Sequence, residues 1–312
     1  MKKKMMACAA ATGAAIGLVF AMNAMAEVTV TDMTGREIVI EEDVERVVAL
    51  TAADCEILYA LGAGDLLVGR GEYCDYPAEV LDIPSVQSGY DTNIEQIIEL
   101  QPQVLLMGTM AQSEEQIEQL ENAGVHVVVS DAQDIEGVYT AIEMIGTLTG
   151  KNDEAAAIIE DMKQGFADLA IEPSEDPETV YFEVSPLEYG LWAAGTGTFM
   201  DEIANMIGLK NVFDDVEGWG EVSEEQVIER NPDHIVTITM YFGEGPTPEE
   251  EIESRAGWEK ITAVENHSIL NLQNNELSRP VPRLVDGANM LYDFVYGQDG
   301  AEALTEEALT EQ

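Results

Sequence analysis

The 312-residue chain carries 61 acidic against 14 basic side chains, a formal charge of −47, and 46% of its residues are hydrophobic. That length allows two domains with separate cores. The charge repels nucleic acid and anionic lipid, which argues against both as partners and favours a strongly solvated surface.

Met1–Ala26 reads as an export signal. Lys2, Lys3 and Lys4 form a charged start, Ala14 to Met22 is mostly apolar, and Ala24-Met25-Ala26 is a small-x-small cleavage site. Cleavage is expected after Ala26, with an extracytoplasmic, periplasmic destination. Cys8 precedes the apolar run, so the usual lipid-anchored cysteine after such a run is missing. Losing the three lysines makes the mature chain still more acidic.

Val28–Ile40 alternates apolar and polar residues about Thr34-Gly35 and predicts an antiparallel hairpin. A strand at Val47–Leu50, a helix at Asp54–Leu61 and a strand at Leu66–Gly69 follow, leading into the loop RGEYCDYP, 70–77. A helix at Thr92–Leu100, a strand at Val104–Gly108, a helix at Ser113–Asn122, a strand at Val125–Val129 and a helix at Ile135–Leu148 complete the first half.

From Asp153 to Ala170 the apolar residues Ala155, Ile158, Ile159, Met162, Phe166 and Leu169 recur at helical spacing. Asn152 or Asp153 can cap this helix and Pro173 ends it. At 1.5 Å per residue it would reach roughly 27 Å, the width of a small domain. Beyond it, strands are predicted at Val180–Val184, His234–Thr239 and Ser268–Asn271. Helices are predicted at Thr198–Ile207, Ser223–Arg230, Glu249–Trp258 and Val285–Tyr296, before an acidic tail.

A pattern recurs on either side of the long helix: NIEQIIELQPQVLL from Asn93 and SEEQVIERNPDHIV from Ser223. An internal repeat of this kind implies two similar lobes, with the helix as a strut between them. Alternating strands and helices imply an α/β fold of mostly parallel, Rossmann-like sheets covered on both faces. The expected units are a signal at 1–26, an N-terminal lobe at 27–150, the connecting helix at 151–172, a C-terminal lobe at 173–297 and a tail at 298–312.

In such lobes ligands sit beyond the carboxyl ends of the strands. Those segments hold Thr51, Arg70, Tyr73, Tyr76, Tyr189, Trp192, Tyr241, Arg279 and Arg283. Arginines at a cleft in so acidic a chain point to an anionic oxygen ligand, the alternative being pairing with local acids. Cys55 and Cys74 allow either a disulfide or two separate thiols.

The three histidines do not form a convergent metal-ligand set, so no bound metal or other cofactor is expected. Catalysis is not expected either. Ser185 and Ser223 lack a nucleophile-elbow context, and the glycines of AAGTGTF match a phosphate-binding turn only loosely, with no P-loop lysine.

The stretches TDMTGREIVI, ERVVAL, ILYALGAGDLLVG, NIEQIIELQPQVLL, GTGTFMDEIANMIGLKNVF and VSEEQVIERNPDHIV occur in an order and spacing that resemble the extracytoplasmic solute-binding proteins of ABC importers for iron–siderophore, haem and cobalamin. The likeness covers nearly all of residues 28–297. It implies two α/β lobes bridged by one rigid helix, a ligand held between them, and no enzymatic activity. It also implies that Glu95 and Glu225 dock on arginines of the ABC permease. The loop RGEYCDYP and Trp219 resemble cobalamin-binding members, although the position of their first-lobe tryptophan offers only Tyr90. The hairpin and the SRPVPR loop resemble siderophore binders. The expected ligand is an iron(III) chelate, with a corrinoid or haem as the alternative, bound by a monomer.

Overall fold

The computed structural model describes residues 27–89, 92–109, 113–172, 174–241, 243, 245–272 and 276–297. The export signal, Tyr90, Pro173 and the acidic tail lie outside the described residues.

The N-terminal lobe begins with the expected hairpin, β1 (Val28–Thr31) and β2 (Glu37–Ile40). Asp32 builds its turn, accepting from the Thr34 and Arg36 amides at 3.0 Å each. There follow β3 (Val47–Ala49), α1 (Ala52–Ala60), β4 (Leu67–Gly71), β5 (Ser85–Val86), α2 (Ile94–Glu99), β6 (Val104–Met107), α3 (Glu114–Asn122), β7 (His126–Val129) and α4 (Ile135–Thr149). The sheet order is β5-β4-β3-β6-β7, and every pairing is parallel. Its central strands are fully apolar, as a sheet covered on both faces requires.

A two-residue turn at Gly150-Lys151 leads into α5 (Asn152–Leu169). The helix starts one residue earlier than expected, and neither candidate cap serves. The N-cap is Lys151 without a side-chain bond, while Asn152 Oδ1 accepts from Thr147 Oγ1 at 2.9 Å. Ala155, Ile159, Met162, Phe166 and Leu169 are buried, each apolar burial of this kind contributing roughly 1.5–3 kcal/mol for the larger side chains. Glycine permits the close crossings at both ends. A Cβ at Gly146 of α4 would lie 2.6 Å from Ala155 Cβ, and one at Gly165 of α5 would lie 2.5 Å from Val285 Cγ1. Val285 belongs to α10 (Leu284–Tyr296) of the second lobe, so α5 packs on one helix from each lobe.

The second lobe contains β8 (Thr179–Ser185), β9 (Trp192–Ala194), α6 (Phe199–Met206), β10 (Lys210–Asn211), β11 (Trp219–Glu221), α7 (Glu224–Arg230), β12 (His234–Thr237), α8 (Pro248–Glu253), α9 (Thr262–Glu265), β13 (Ile269–Asn271) and α10. The sheet runs β11-β9-β8-β12-β13, with β10 also beside β8. Strands β8, β12, β13 and β10 are parallel, whereas β9 runs antiparallel to its two neighbours, β8 and β11.

The repeat is structural as well as textual. Asn93 and Ser223 cap α2 and α7 by accepting from the Gln96 and Gln226 amides. Each helix is followed by a left-handed residue, Gln101 (φ 50°) and Asn231 (φ 46°), then by proline and a parallel strand. The next residue pins the neighbouring strand in both lobes. Gln103 Oε1 accepts from the Arg46 amide at 3.0 Å, and Asp233 Oδ2 from the Thr179 amide at 2.9 Å.

Candidate functional site

A cleft of 410 Å³ lies between the lobes at the carboxyl ends of their strands. The N-terminal lobe supplies Thr51, Ala52, Ala53 and Ile57 from the start of α1, Gly108 after β6, Ser130–Gln133 after β7, and Ala141. The other lobe supplies Val184, Phe199, Trp219, Ile238 and Ser278–Pro280. One wall therefore offers hydroxyls, an amide and a carboxylate, and the opposite wall is largely apolar and aromatic.

Each wall is fixed by its own local chemistry. Thr51 caps α1, accepting from the Asp54 amide at 3.1 Å while its hydroxyl donates to Asp54 Oδ2 at 2.5 Å. Asp54 is fully buried and its Oδ1 has no hydrogen-bond partner among the described residues. Burial pushes its carboxyl up to about 6, helped by the charge of Asp131, while the nearby hydroxyls of Thr51 and Ser130 act the other way. On the far wall Phe199 and Trp219 meet edge to face, with centroids 5.4 Å apart and planes at 61°.

Two sets of contacts tie the lobes across this cleft. Gln133 Oε1 accepts from Trp219 Nε1 at 2.7 Å, and its carbonyl accepts from the Phe199 amide at 2.9 Å. Nearby, Glu202 of α6 accepts from the Ile135 amide at the start of α4, at 2.8 Å. The second set centres on Glu56 of α1, which is almost wholly buried. Arg279 Nη1 donates to it at 2.8 Å and Arg283 Nε at 3.0 Å.

Of the residues expected at the site, Thr51, Trp219 and Arg279 line this cleft. Arg279 does so with its charge already matched. Besides Glu56, it donates to Asp75 Oδ1 at 2.7 Å and to the Tyr73 carbonyl at 3.2 Å. Arg283 pairs with Glu56 and Glu276 and stacks on the Tyr76 ring at 3.9 Å. Of the two readings open for these arginines, pairing with local acids is the one seen for both. Arg70 serves its own loop, Nη1 donating to the Gly71 and Cys74 carbonyls at 3.1 Å each.

The remaining aromatic residues lie away from the cleft lining. Tyr73 and Tyr189 are exposed, and Trp192 is 40% exposed on β9. Tyr241 lines a separate 530 Å³ pocket of the second lobe, with Glu183, Met240 and Pro248 among its neighbours. Glu95 and Glu225 are exposed in the first turns of α2 and α7. Cys55 and Cys74 are not bridged. Both are free, buried thiols, each with its sulfur against the Ala49 carbonyl, at 3.7 and 3.9 Å.

The glycines of AAGTGTF are no phosphate turn. The Gly195 and Thr196 amides donate to the Gly218 and Val216 carbonyls, so neither is open to an anion. A Cβ at Gly195 would meet Val216 O at 2.1 Å, which explains the glycine. No cluster of three or more His, Cys, Asp or Glu side chains suited to a metal ion occurs among the described residues.

Sequence reasoning missed Ser130, Asp131, Gln133, Phe199 and Glu56. The signal for the first three was available, since they follow a predicted strand, Val125–Val129, whose carboxyl end belongs with the others. Phe199 follows a helix cap, and Glu56 sits inside a predicted helix. Neither position reveals its cross-lobe partners from spacing alone.

Residues 47–276 match the family model described as periplasmic binding protein. The chain is 34% identical over 276 residues to YvrC, an uncharacterized ABC transporter substrate-binding lipoprotein of Bacillus subtilis (strain 168), covering 86% of this chain and 85% of YvrC. It is 26% identical over 253 residues to the vitamin B12-binding protein of Vibrio cholerae serotype O1, covering 80% of this chain and 89% of that protein. The crystal structure of a possible iron-binding (periplasmic solute-binding) protein from Staphylococcus epidermidis ATCC 12228 matches with a TM-score of 0.68 and 31% identity, over 82% of this chain and all of that one. Twin lobes, a helical strut, an interlobe cleft and these relatives together place the chain in the periplasmic binding protein family, as a substrate-binding protein of ABC transporters.

Proposed function

We propose that this protein captures an iron(III) chelate outside the cytoplasm and delivers it to the permease of an ABC importer. The observation that carries this reading is the two-faced cleft. The Trp219–Phe199 wall suits the organic shell of a chelate, and Thr51, Ser130 and Asp131 suit its polar atoms. The 31% identity to a possible iron-binding relative supports iron over other cargo. In this reading Met1–Ala26 is removed on export, and the receptor works as a monomer. Glu95 and Glu225 give the permease two matching carboxylates, one per lobe, for arginine pairing.

Trp219 in the cleft, together with the vitamin B12-binding relative, supports a corrinoid as the second reading. Titration of Trp219 fluorescence separates them. Saturable quenching by a ferric siderophore, and none by cobalamin, is the expected result. The reverse pattern would replace the chelate with a corrinoid. A Trp219→Ala variant should weaken chelate binding by about 2 kcal/mol, the scale of an aromatic anchor.

A further inference from the structure

We infer that the cleft selects ligands of zero or positive net charge, and that Asp131 sets this preference. Resting on the chelate reading, this names the cargo as a hydroxamate-type ferric complex rather than a catecholate or citrate one.

The ionisable side chains lining the cleft are Asp131 and Arg279. Arg279 is held by Glu56 and Asp75, and the adjacent Arg283 by Glu56 and Glu276. Two guanidinium groups thus face three carboxylates, and this cluster offers an entering anion no excess positive charge. Asp131 accepts from the Thr109 hydroxyl, and no ion pair to it occurs among the described residues. Close to it is Asp54, fully buried, with one carboxyl oxygen unpartnered. An anion entering here would meet an uncompensated carboxylate in a partly dehydrated cleft, where repulsion is poorly screened. A cation or a group rich in N–H and O–H donors would meet acceptors from Asp131, Ser130 and Thr51.

Chelate chemistry converts this into a substrate class. Three hydroxamates each lose one proton and together cancel the charge of iron(III). Three catecholates each lose two and leave a triply anionic complex. The first presents an uncharged core that a pendant ammonium makes cationic, which suits the Asp131 wall. The second does not.

The test is a fluorescence titration of the wild-type protein with ferrioxamine B, a cationic hydroxamate complex, against a ferric tris-catecholate and ferric citrate, with cyanocobalamin alongside. Ferrioxamine B should bind more tightly than either anion by at least about tenfold. Asp131→Asn should narrow that ratio to a few-fold while preserving the fold, since asparagine keeps an acceptor for Thr109. Equal affinities of the three ferric complexes for wild-type protein would overturn the charge inference and leave the chelate reading intact. An unchanged ratio in Asp131→Asn would remove Asp131 as its source. Binding of cyanocobalamin and of no ferric complex would overturn the chelate reading itself.

Discussion

Glu56 and Arg279 stand 223 positions apart, yet their side chains meet at 2.8 Å where the two lobes adjoin, both almost fully buried. Arg283 closes on the same carboxylate, so one acid from α1 carries two bases from the other lobe. Such a group is costly to desolvate and costlier to leave half-paired. Glu56→Gln should lower unfolding free energy by about 3 kcal/mol, the lower end for a broken buried pair because Asp75 and Glu276 remain. Urea denaturation followed by circular dichroism measures this. A loss within about 0.5 kcal/mol of zero would mean the cluster is already well solvated.

Asp54 gives the fold a pH dependence opposite to that of an ordinary paired carboxylate. Its folded value of about 6 lies above the usual 3.8, so between them the folded chain holds a proton that the unfolded chain has released. The associated stability is fully present below the usual value and is lost as pH rises through about 6, amounting to about 3 kcal/mol. Asp54→Asn should therefore be more stable than wild type near about pH 7.5 and nearly equal to it near about pH 4. Denaturation at both pH values checks this, and a difference that does not vary with pH would contradict it.

Cys55 and Cys74 should behave as inert thiols. Donation of its S–H toward the Cys74 sulfur and burial both push the Cys55 thiol well above its ordinary value, which suppresses the reactive thiolate. A thiol reagent should leave the native protein unmodified and label both cysteines after denaturation without reductant. Labelling of neither under those conditions would show a disulfide.

The strut was legible because six apolar residues kept helical spacing over its full length. The two lobes were legible because an entire cap–helix–proline–strand unit recurs. Shorter elements were not: β10, two residues long, and β11, three residues long, are too brief to show any period. The start of α1 moved from Asp54 back to Ala52 because Thr51, the residue immediately before it, supplies the cap. At the site, residue type identified the arginines but not their partners. Glu56 is remote in sequence and looks like any helical acid, so the contact that neutralises Arg279 and Arg283 exists only in three dimensions. The same limit hid Gln133, whose two bonds to the opposite lobe depend on how the halves meet.

The central claim is delivery of a captured chelate to a permease, and uptake of radiolabelled ferric hydroxamate by host cells tests it most directly. Cells lacking this gene should lose uptake and regain it with the wild-type protein. The Glu95→Ala, Glu225→Ala double variant should bind the chelate as wild type does yet restore less than about a tenth of the uptake. Undiminished uptake with that variant would contradict the docking role. Normal uptake in cells without the protein would contradict the transport role altogether.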